Sequence, residues 1–249
     1  MESIKREDLI IKLRDDNEYY NGIGKQFLSN SDIDVLLNNP QNFGKTREDN
    51  KVFMDGRYFH QLILEPEKAK NMPFVKASTR NTDIYKNFCE TNNLPFCMLK
   101  KEQDEIQNLV SIINGNIAFY DEIYKAGNQY ETPAVAEIQG MMWKGKADIV
   151  TDNSVIDLKT TSDIHKFKYT AKSYNYDSQC YIYQELFGKP LVFYVIDKGT
   201  GVLGIFRPTE DFVKGGEIKV GRAIEVYNKY FSSKPTDDIV NYYIDEYLL

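Results

Sequence analysis

A small set of polar residues in the second half of the chain has types and spacings suited to phosphate chemistry. They are Asp148, Asp157, Lys159, Gln179 and Tyr183. Asp157 and Lys159 lie two apart in an apolar, β-branched run that predicts a strand, so their side chains share one face. A carboxylate and an ammonium buried together are costly unless they bind an ion or do chemistry. With Asp148 as a second carboxylate on the preceding strand, the set predicts a Mg²⁺ site that hydrolyses phosphodiesters.

Each of these residues also has a simpler interpretation. Asp148 could be a turn residue at a strand end, whereas Asp157 has apolar neighbours on both sides and fits a turn poorly. Lys159 could serve only as the ion-pair partner of Asp157; in an enzyme it would also orient the attacking water and offset charge on the pentacovalent phosphate. Gln179 and Tyr183 lie one helical turn apart and share a face, which could be a polar surface stripe or the lining of a cleft.

Length and composition limit the classes of protein to consider. The 249 residues, 42% of them apolar with 18 tyrosines, predict one domain spanning 1–249. No apolar run approaches the ~20 residues that span a bilayer, and the N-terminal sequence lacks a signal peptide, so a cytoplasmic location in a bacterial cell is expected. Cys89, Cys97 and Cys180 have no metal-type spacing and are expected to be reduced thiols, too few for a four-cysteine iron–sulfur cluster. A Walker-type phosphate loop is absent from the sequence.

The formal charge of −6 argues against binding of nucleic acid by bulk charge. A local basic groove is compatible with that total. Residues 144–172 contain six lysines and four acids, and two of those acids are the proposed ligands Asp148 and Asp157. The other acids lie elsewhere in the chain, so the net charge does not exclude a locally basic groove here.

The apolar periodicity predicts a mixed series of helices and strands. Helices are expected at 33–39 after a serine-rich cap, and at 51–64, 101–126, 174–187 and 216–231, with a short one near 83–90 in an irregular stretch from 67 to 98. Three strands are expected across 134–159, broken at Gly140 and at 152–153, followed by a hairpin of 191–197 and 202–207. This order predicts an α/β fold with a central mixed β-sheet flanked by helices.

These motifs resemble the PD-(D/E)xK nuclease superfamily, with its restriction-endonuclease-like core, and within it the RecE-type (exonuclease VIII) family of phage recombination exonucleases. The similar segments are Lys144-Gly-Lys-Ala-Asp148, the run from Asp157 to Lys168, Tyr174-Asn-Tyr176 leading to Gln179 and Tyr183, the run from Asp55 to Pro66 with its Gly-x-x-x-His and Leu-Glu-Pro elements, and Ser29-Asn-Ser31. A lone Asp-x-Lys is weak evidence. The ordered set is specific and covers about residues 27–66 and 125–207.

The resemblance implies a role for each matching residue. The expected metal ligands are His60, Asp148, Asp157 and the backbone carbonyl of Leu158. The expected catalytic residues are Lys159, Asp157, Asp148, Glu131, Gln179 and Tyr183, with Glu137 as a competing candidate for the additional acid. The expected DNA and phosphate contacts are Ser29, Ser31, Arg57, Lys166 and Lys168. Without the resemblance, His60 would be a hydrogen-bonded histidine at the core edge, and Ser31 a helix cap.

The resemblance also implies an activity and partners. It implies a Mg²⁺-dependent exodeoxyribonuclease, with Mn²⁺ as a substitute, that degrades linear double-stranded DNA from a 5′ end and exposes 3′ strands for phage-type recombination. A ring of three or four subunits and a phage single-strand annealing protein are the expected partners. Within the chain, 1–50 would be a helical extension, 51–66 and 125–207 the nuclease core, and 208–249 a C-terminal helix and tail. The alternatives are a non-catalytic DNA-end-binding or regulatory module and a sequence-specific endonuclease.

Overall fold

The computed structural model describes residues 6–45 and 50–245. Residues 1–5 carry part of the prediction that the chain has no signal peptide, and they lie outside the described residues. The same holds for 46–49 and 246–249, which belong to the predicted single domain. Within the described part, no helix has both the length and the apolar character required to cross a membrane.

The described chain begins with helices and continues as a mixture of helices and strands. The α-helices are α1 (Arg6–Leu13), α2 (Asp16–Tyr20), α3 (Asn30–Asn38), α4 (Lys51–Leu64), α5 (Pro66–Ala69), α6 (Asp83–Thr91), α7 (Lys100–Gly115), α8 (Ile117–Ile123), α9 (Phe167–Thr170), α10 (Tyr176–Phe187) and α11 (Glu210–Tyr230). The strands are β1 (Phe74–Val75), β2 (Met98–Leu99), β3 (Gln129–Ile138), β4 (Met141–Val150), β5 (Val155–Thr161), β6 (Leu191–Asp197) and β7 (Leu203–Phe206). Short 3₁₀ turns occur at Ile23–Gln26, Pro40–Asn42 and Ile239–Asn241.

The main sheet has five strands in the order β3-β4-β5-β6-β7. The β3–β4, β4–β5 and β6–β7 pairs are antiparallel, whereas β5 and β6 are parallel and are joined by a crossover that contains α9 and α10. A separate parallel pair is formed by β1 and β2. The mixed sheet of an α/β fold, expected from the sequence, is confirmed.

The two faces of β5 and β6 pack into different cores because side chains alternate along a strand. Ile156 and Leu158 face a core formed with α4, α7 and α8. Val155 faces the opposite core, which contains Phe167 and Cys180 from the crossover helices. A third core joins β3 and β4 to α3, α10 and α11 around the fully buried Trp143. Helices therefore cover both faces of the sheet. The point where β4 and β5 separate lies between these two helical layers.

The element boundaries follow the sequence expectations in most places. The helix at 51–64, the hairpin of β6 and β7, and the order of three strands are confirmed. The expected helix at 101–126 is instead two helices, because Asn116 caps α8 by accepting a hydrogen bond from the Phe119 amide. The stretch 67–98 is more regular than expected and holds α5, α6 and both strands of the small sheet. Within the expected helical extension, α1 and α2 have no individual sequence prediction, and α11 begins earlier than expected, at Glu210.

Candidate active site

The candidate site lies where β4 and β5 separate. The paired residues of the two strands are Val150 with Val155 and Ile149 with Ile156, and the next position along this register would bring Asp148 opposite Asp157. There the backbone pairing stops, and Asp148 Oδ2 instead accepts a hydrogen bond of 2.7 Å from the Leu158 amide. A carboxylate thus replaces the missing carbonyl partner, and both acids are held buried at the fork.

Helix α4 brings His60 to this fork. Its Nε2 lies 2.8 Å from the carbonyl oxygen of Leu158, which can only accept, so Nε2 carries the hydrogen. Nδ1 then faces Asp148 Oδ1 at 3.3 Å. Burial lowers the pKa of His60, but the charge of Asp148 outweighs burial and raises the pKa to about 9. The space between Nδ1 and the carboxylate therefore favours a cation, either a proton or a metal ion.

Strand β3 contributes the third group, Glu131. Its backbone has a φ of 45°, which is uncommon for a residue with a side chain and sets it apart from its neighbours in the strand. The carboxylate approaches His60 and Asp148, and one ligand atom from each of the three lies within 4.8 Å of the others. Burial and then the charge of Asp148 raise the pKa of Glu131 to about 7. Glu137, the competing candidate, is exposed near the other end of β3.

Asp157 makes different contacts from Asp148. Its Oδ1 accepts a hydrogen bond of 2.7 Å from Gln179 Nε2 on α10, and its Oδ2 lies 2.6 Å from Lys159 Nζ. Oδ2 is buried and is held by this ion pair with Lys159. Burial raises the pKa of Asp157; burial lowers that of Lys159, but the charge of Asp157 outweighs it and raises the pKa. The ion pair therefore favours the charged form of Lys159 beside the fork.

Two further predicted residues have their polar atoms engaged by protein. Tyr183 donates a hydrogen bond of 2.9 Å to the carbonyl of Lys146, and burial raises its pKa well above the usual range. The Leu158 carbonyl accepts the bond from His60 and has one more lone pair to offer. The structure thus places both within the site, although Tyr183 is directed to the backbone of β4.

The residues predicted to contact phosphate lie in different surroundings. Arg57 is exposed on α4, three residues before His60. Lys166 and Lys168 are exposed at the start of the crossover from β5 to β6, where Lys166 lies 3.1 Å from Asp163 and Lys168 lies over the Tyr169 ring. The formal net charge of the chain is −6, so these cations are local exceptions to its overall balance, and their contact with phosphate stays a prediction.

Ser29 and Ser31 lie at the N-terminus of α3, as the sequence predicts. Their hydroxyl oxygens are 2.8 Å apart, and the Ser29 hydroxyl and amide both donate to the carboxylate of Asp32. A capping carboxylate is already favourable at a helix N-terminus, so it competes with any phosphate there. The cap is present in the structure, and the phosphate role stays a prediction.

One set of ion pairs beside the cluster is not predicted by the sequence. Asp16 on α2 lies 2.6 Å from Lys146 Nζ and 2.7 Å from Lys68 Nζ. Lys146 is two residues before Asp148 on β4 and shares its face. Burial raises the pKa of the neighbouring Tyr20 to about 12, and the charge of Glu131 contributes in the same direction. The motif containing Lys146 was noticed, but its partner is 130 residues away and has no local sequence signal.

The side chains of the fork fit a divalent metal ion of the Mg²⁺ class. Two carboxylates and one imidazole make a mixed oxygen and nitrogen donor set, and hard cations prefer the carboxylate oxygens. The spread of up to 4.8 Å between donor atoms is close to the roughly 4.2 Å that separates opposite ligands of an ion bound at 2.1 Å. Asp157, with its Oδ2 paired to Lys159, adjoins the same fork. Asp157 lies outside the tight cluster of three, which differs from the ligand set implied by the resemblance.

A PDDEXK-like domain with a nuclease-type fold is defined by these features: a mixed sheet, two strands that fork, the acids Asp148 and Asp157 at the fork, and Lys159 beside them. Residues 29–202 match the family described as PDDEXK-like domain of unknown function (DUF3799), and the chain belongs to that family. The predicted PD-(D/E)xK class is thereby confirmed. Comparison with curated proteins gives no match.

Comparison with solved structures matches two proteins described as exonucleases. One, from Eubacterium rectale, has an exonuclease activity ascribed to it; it is 19% identical with a TM-score of 0.60, covering 86% of this chain and 85% of that chain. A phage-related exonuclease from Haemophilus somnus 129PT is 15% identical with a TM-score of 0.31, covering 70% of this chain and 96% of that chain. The first of these similarities supports the fold.

Proposed function

We propose that the protein is a Mg²⁺-dependent exodeoxyribonuclease that hydrolyses phosphodiester bonds in linear double-stranded DNA. The observation that carries the proposal is the convergence of His60, Glu131 and Asp148 at the strand fork, with the Asp157–Lys159 pair beside them. A partly buried cluster of acids is costly in a purely structural role, because like charges repel and burial penalises the charged forms. The same cost is offset when a divalent cation binds.

In this proposal the residues at the fork divide the work of hydrolysis. His60, Glu131, Asp148 and the Leu158 carbonyl would hold the metal ion, and Asp157 would join through Oδ2, the oxygen paired with Lys159. When bound, Mg²⁺ would polarise the scissile phosphate and lower the pKa of an attacking water. Lys159 would orient that water and offset the charge that develops on the phosphate. Gln179 would fix the orientation of Asp157 through its 2.7 Å hydrogen bond.

The proposal has finer parts, which the motif resemblance supports. The enzyme would attack DNA from its ends with 5′ to 3′ polarity and expose 3′ strands for recombination. It would assemble into a ring that threads DNA, and it would act in the cytoplasm with a phage annealing protein. The exposed basic side chains of Arg57, Lys166 and Lys168 are compatible with a DNA substrate.

The test compares linear and closed circular duplex DNA, each with Mg²⁺ and with EDTA. We expect linear duplex to shorten progressively in Mg²⁺, closed circles to persist, and EDTA to stop the reaction. Asp157→Asn keeps the shape of the side chain and should abolish cleavage, whereas Asp152→Asn, at the exposed turn between β4 and β5, should not. Cleavage by Asp157→Asn at the wild-type rate would refute the assignment, and discrete fragments from closed circles would favour the endonuclease alternative.

A further inference from the structure

A row of aromatic rings leads from the candidate catalytic lysine to the protein surface. Lys159 Nζ lies 5.3 Å from the centroid of the Tyr176 ring. Tyr176 is in turn stacked with Tyr174, with centroids 5.7 Å apart and ring planes inclined by 30°. Tyr176 packs on its other sides against Phe167 and Phe193. The row therefore begins in the core, passes the fork and ends at Tyr174.

Tyr174 is exposed, and its position is fixed. The residue as a whole is 64% exposed, although its ring rests on Tyr176. The turn that carries it is anchored by Lys219 of α11, whose Nζ reaches the Lys172 carbonyl at 2.6 Å and Asn175 Oδ1 at 3.0 Å. Asn30 of α3 also donates to the Asn175 carbonyl. An aromatic side chain held out on an anchored turn loses little conformational entropy when it binds a partner.

The surface around Tyr174 is suited to nucleic acid. Lys166, Lys168 and Lys172 are exposed on the same short segment. Exposed aromatic rings interleaved with basic side chains are the arrangement by which proteins bind single strands, since every base has a face that can stack and every nucleotide has a phosphate. Another apolar protein surface would be opposed by this local charge, which a polyanion would complement.

We propose that Tyr174 is a stacking platform for an unpaired base of the DNA strand whose phosphate is at the fork. The inference rests on the proposed nuclease function and deepens it, because it makes a locally single-stranded end the species bound. The two steps of 5.3 and 5.7 Å place the Tyr174 ring at most about three base steps from Lys159 Nζ, taking roughly 3.4 Å per base. A frayed duplex end would then be held open next to the site of cleavage.

Binding of a fluorescent oligothymidylate to the full chain in EDTA tests the proposal without cleavage. Tyr174→Ala should weaken binding roughly five- to hundredfold, corresponding to ~1–3 kcal/mol for one stacked base. Tyr174→Phe and Tyr174→Trp retain an aromatic face and should bind as tightly as the wild type. The matched control is Tyr120→Ala, which removes another exposed tyrosine that contacts a neighbouring ring, on α8. That control should leave the affinity unchanged.

A second probe separates stacking from charge. An otherwise identical strand of abasic nucleotides keeps the phosphates, so the wild type and Tyr174→Ala should bind it equally weakly. The proposal is overturned if Tyr174→Ala binds oligothymidylate like the wild type, if its defect persists on the abasic strand, or if Tyr174→Phe is equally defective. In Mg²⁺, Tyr174→Ala should raise KM on linear duplex while kcat is preserved. If the wild type binds through Tyr174 but does not cleave, the nuclease proposal fails and the stacking site stands.

Discussion

At the scale of single residues, Lys159 and the lysines of the crossover carry the same charge in different environments. Lys159 is partly buried against Asp157, and its pKa is raised because the charge of that carboxylate outweighs the effect of burial. Lys166 and Lys168 are exposed to solvent. A cation held in a site of low polarity acts on charge as it develops, whereas an exposed cation attracts DNA before and after the reaction alike.

Replacing Lys159 should therefore affect the chemical step far more than binding. We expect Lys159→Ala to lower the single-turnover rate by about a hundredfold or more, as for other charge-stabilising donors, while affinity for DNA ends changes little. Normal cleavage at saturating protein with weakened affinity would make Lys159 a binding residue and contradict the assignment. Circular dichroism should confirm that the variant is folded, since the change leaves Asp157 without its ion-pair partner.

The exposed lysines should give the opposite result. Lys166→Ala and Lys168→Ala should each weaken DNA binding and leave the rate at saturation unchanged. If each contacts one phosphate, the slope of log affinity against log salt should flatten by about one unit per variant. A matched control is Lys125→Ala, because Lys125 is exposed between α8 and β3 near Asp152. An unchanged salt slope for both crossover variants would remove them from the DNA interface.

The sequence predicts some of these residue positions and not others for a physical reason. Asp157 and Lys159 share a face because any strand alternates, so their pairing follows from spacing alone. The position of Glu131, rather than Glu137, beside Asp148 does not follow from spacing alone. The backbone at Glu131 has a positive φ, which no pattern of residue types reveals. The contact of Asp16 with Lys146 likewise depends on how two distant segments pack.

At the scale of elements, the close approach of α10 and α11 holds Gln179 and Tyr176 in place. A Cβ added at Gly216 of α11 would lie 2.0 Å from the Asp177 carbonyl oxygen, whereas one at Gly215 would lie 3.8 Å from Asp177 Oδ2. Gly216→Ala should thus destabilise the protein, because overpacking costs ~1–3 kcal/mol and exceeds the helical gain of about 1 kcal/mol. Gly215→Ala, on the same helix, should be neutral or stabilising. Urea unfolding measures both, and equal stabilities would contradict the packing argument.

The start of α7 is predicted to make stability depend on pH. Arg80 binds both carboxylate oxygens of Glu102, at 2.8 and 2.6 Å, and the Leu99 amide adds a third bond. Burial would raise the pKa of Glu102, but these partners outweigh it and lower the pKa. Because the folded-state pKa is below the unfolded value of about 4.3, the stabilisation is present above pH ~4.3 and is lost as pH falls through the folded-state pKa.

The corresponding variant is Glu102→Gln, measured by urea unfolding across acidic and neutral pH. It should cost about 1.5–3 kcal/mol near neutral pH, the range for hydrogen bonds to a charged group, and progressively less as the solution becomes more acidic than pH ~4. Glu105→Gln, on the exposed face of α7, serves as the control and should show no such convergence with the wild type. A cost for Glu102→Gln that is constant with pH would contradict the argument.

At the scale of the whole molecule, segments outside the family match help to build the site. The match covers 29–202, yet α2 lies before it and reaches β4 through Asp16, and α11 lies after it and packs on α10 and α3. The order of the central strands and helices could be predicted because each element has its own apolar period. The assembly of the first and last segments around them could not, since it depends on contacts between separate elements, such as Arg6 with Val135 and Lys219 with Asp177.

The acid cluster also predicts how the whole chain responds to a metal ion. Mg²⁺ or Mn²⁺ at a hundred times its dissociation constant should add about 2.7 kcal/mol to the wild-type stability, which is roughly 5–10 °C in Tm for a chain of this size.

Glu131→Gln removes one of two like charges near His60, so it should raise the Tm of the metal-free protein and shrink the metal-induced shift. Glu137→Gln, exposed near the other end of β3, should change neither. Thermal unfolding with Mg²⁺, Mn²⁺ and excess EDTA measures these shifts independently of activity. A full shift in Glu131→Gln would exclude Glu131 as a ligand, and no shift in the wild type would contradict a metal site at the fork.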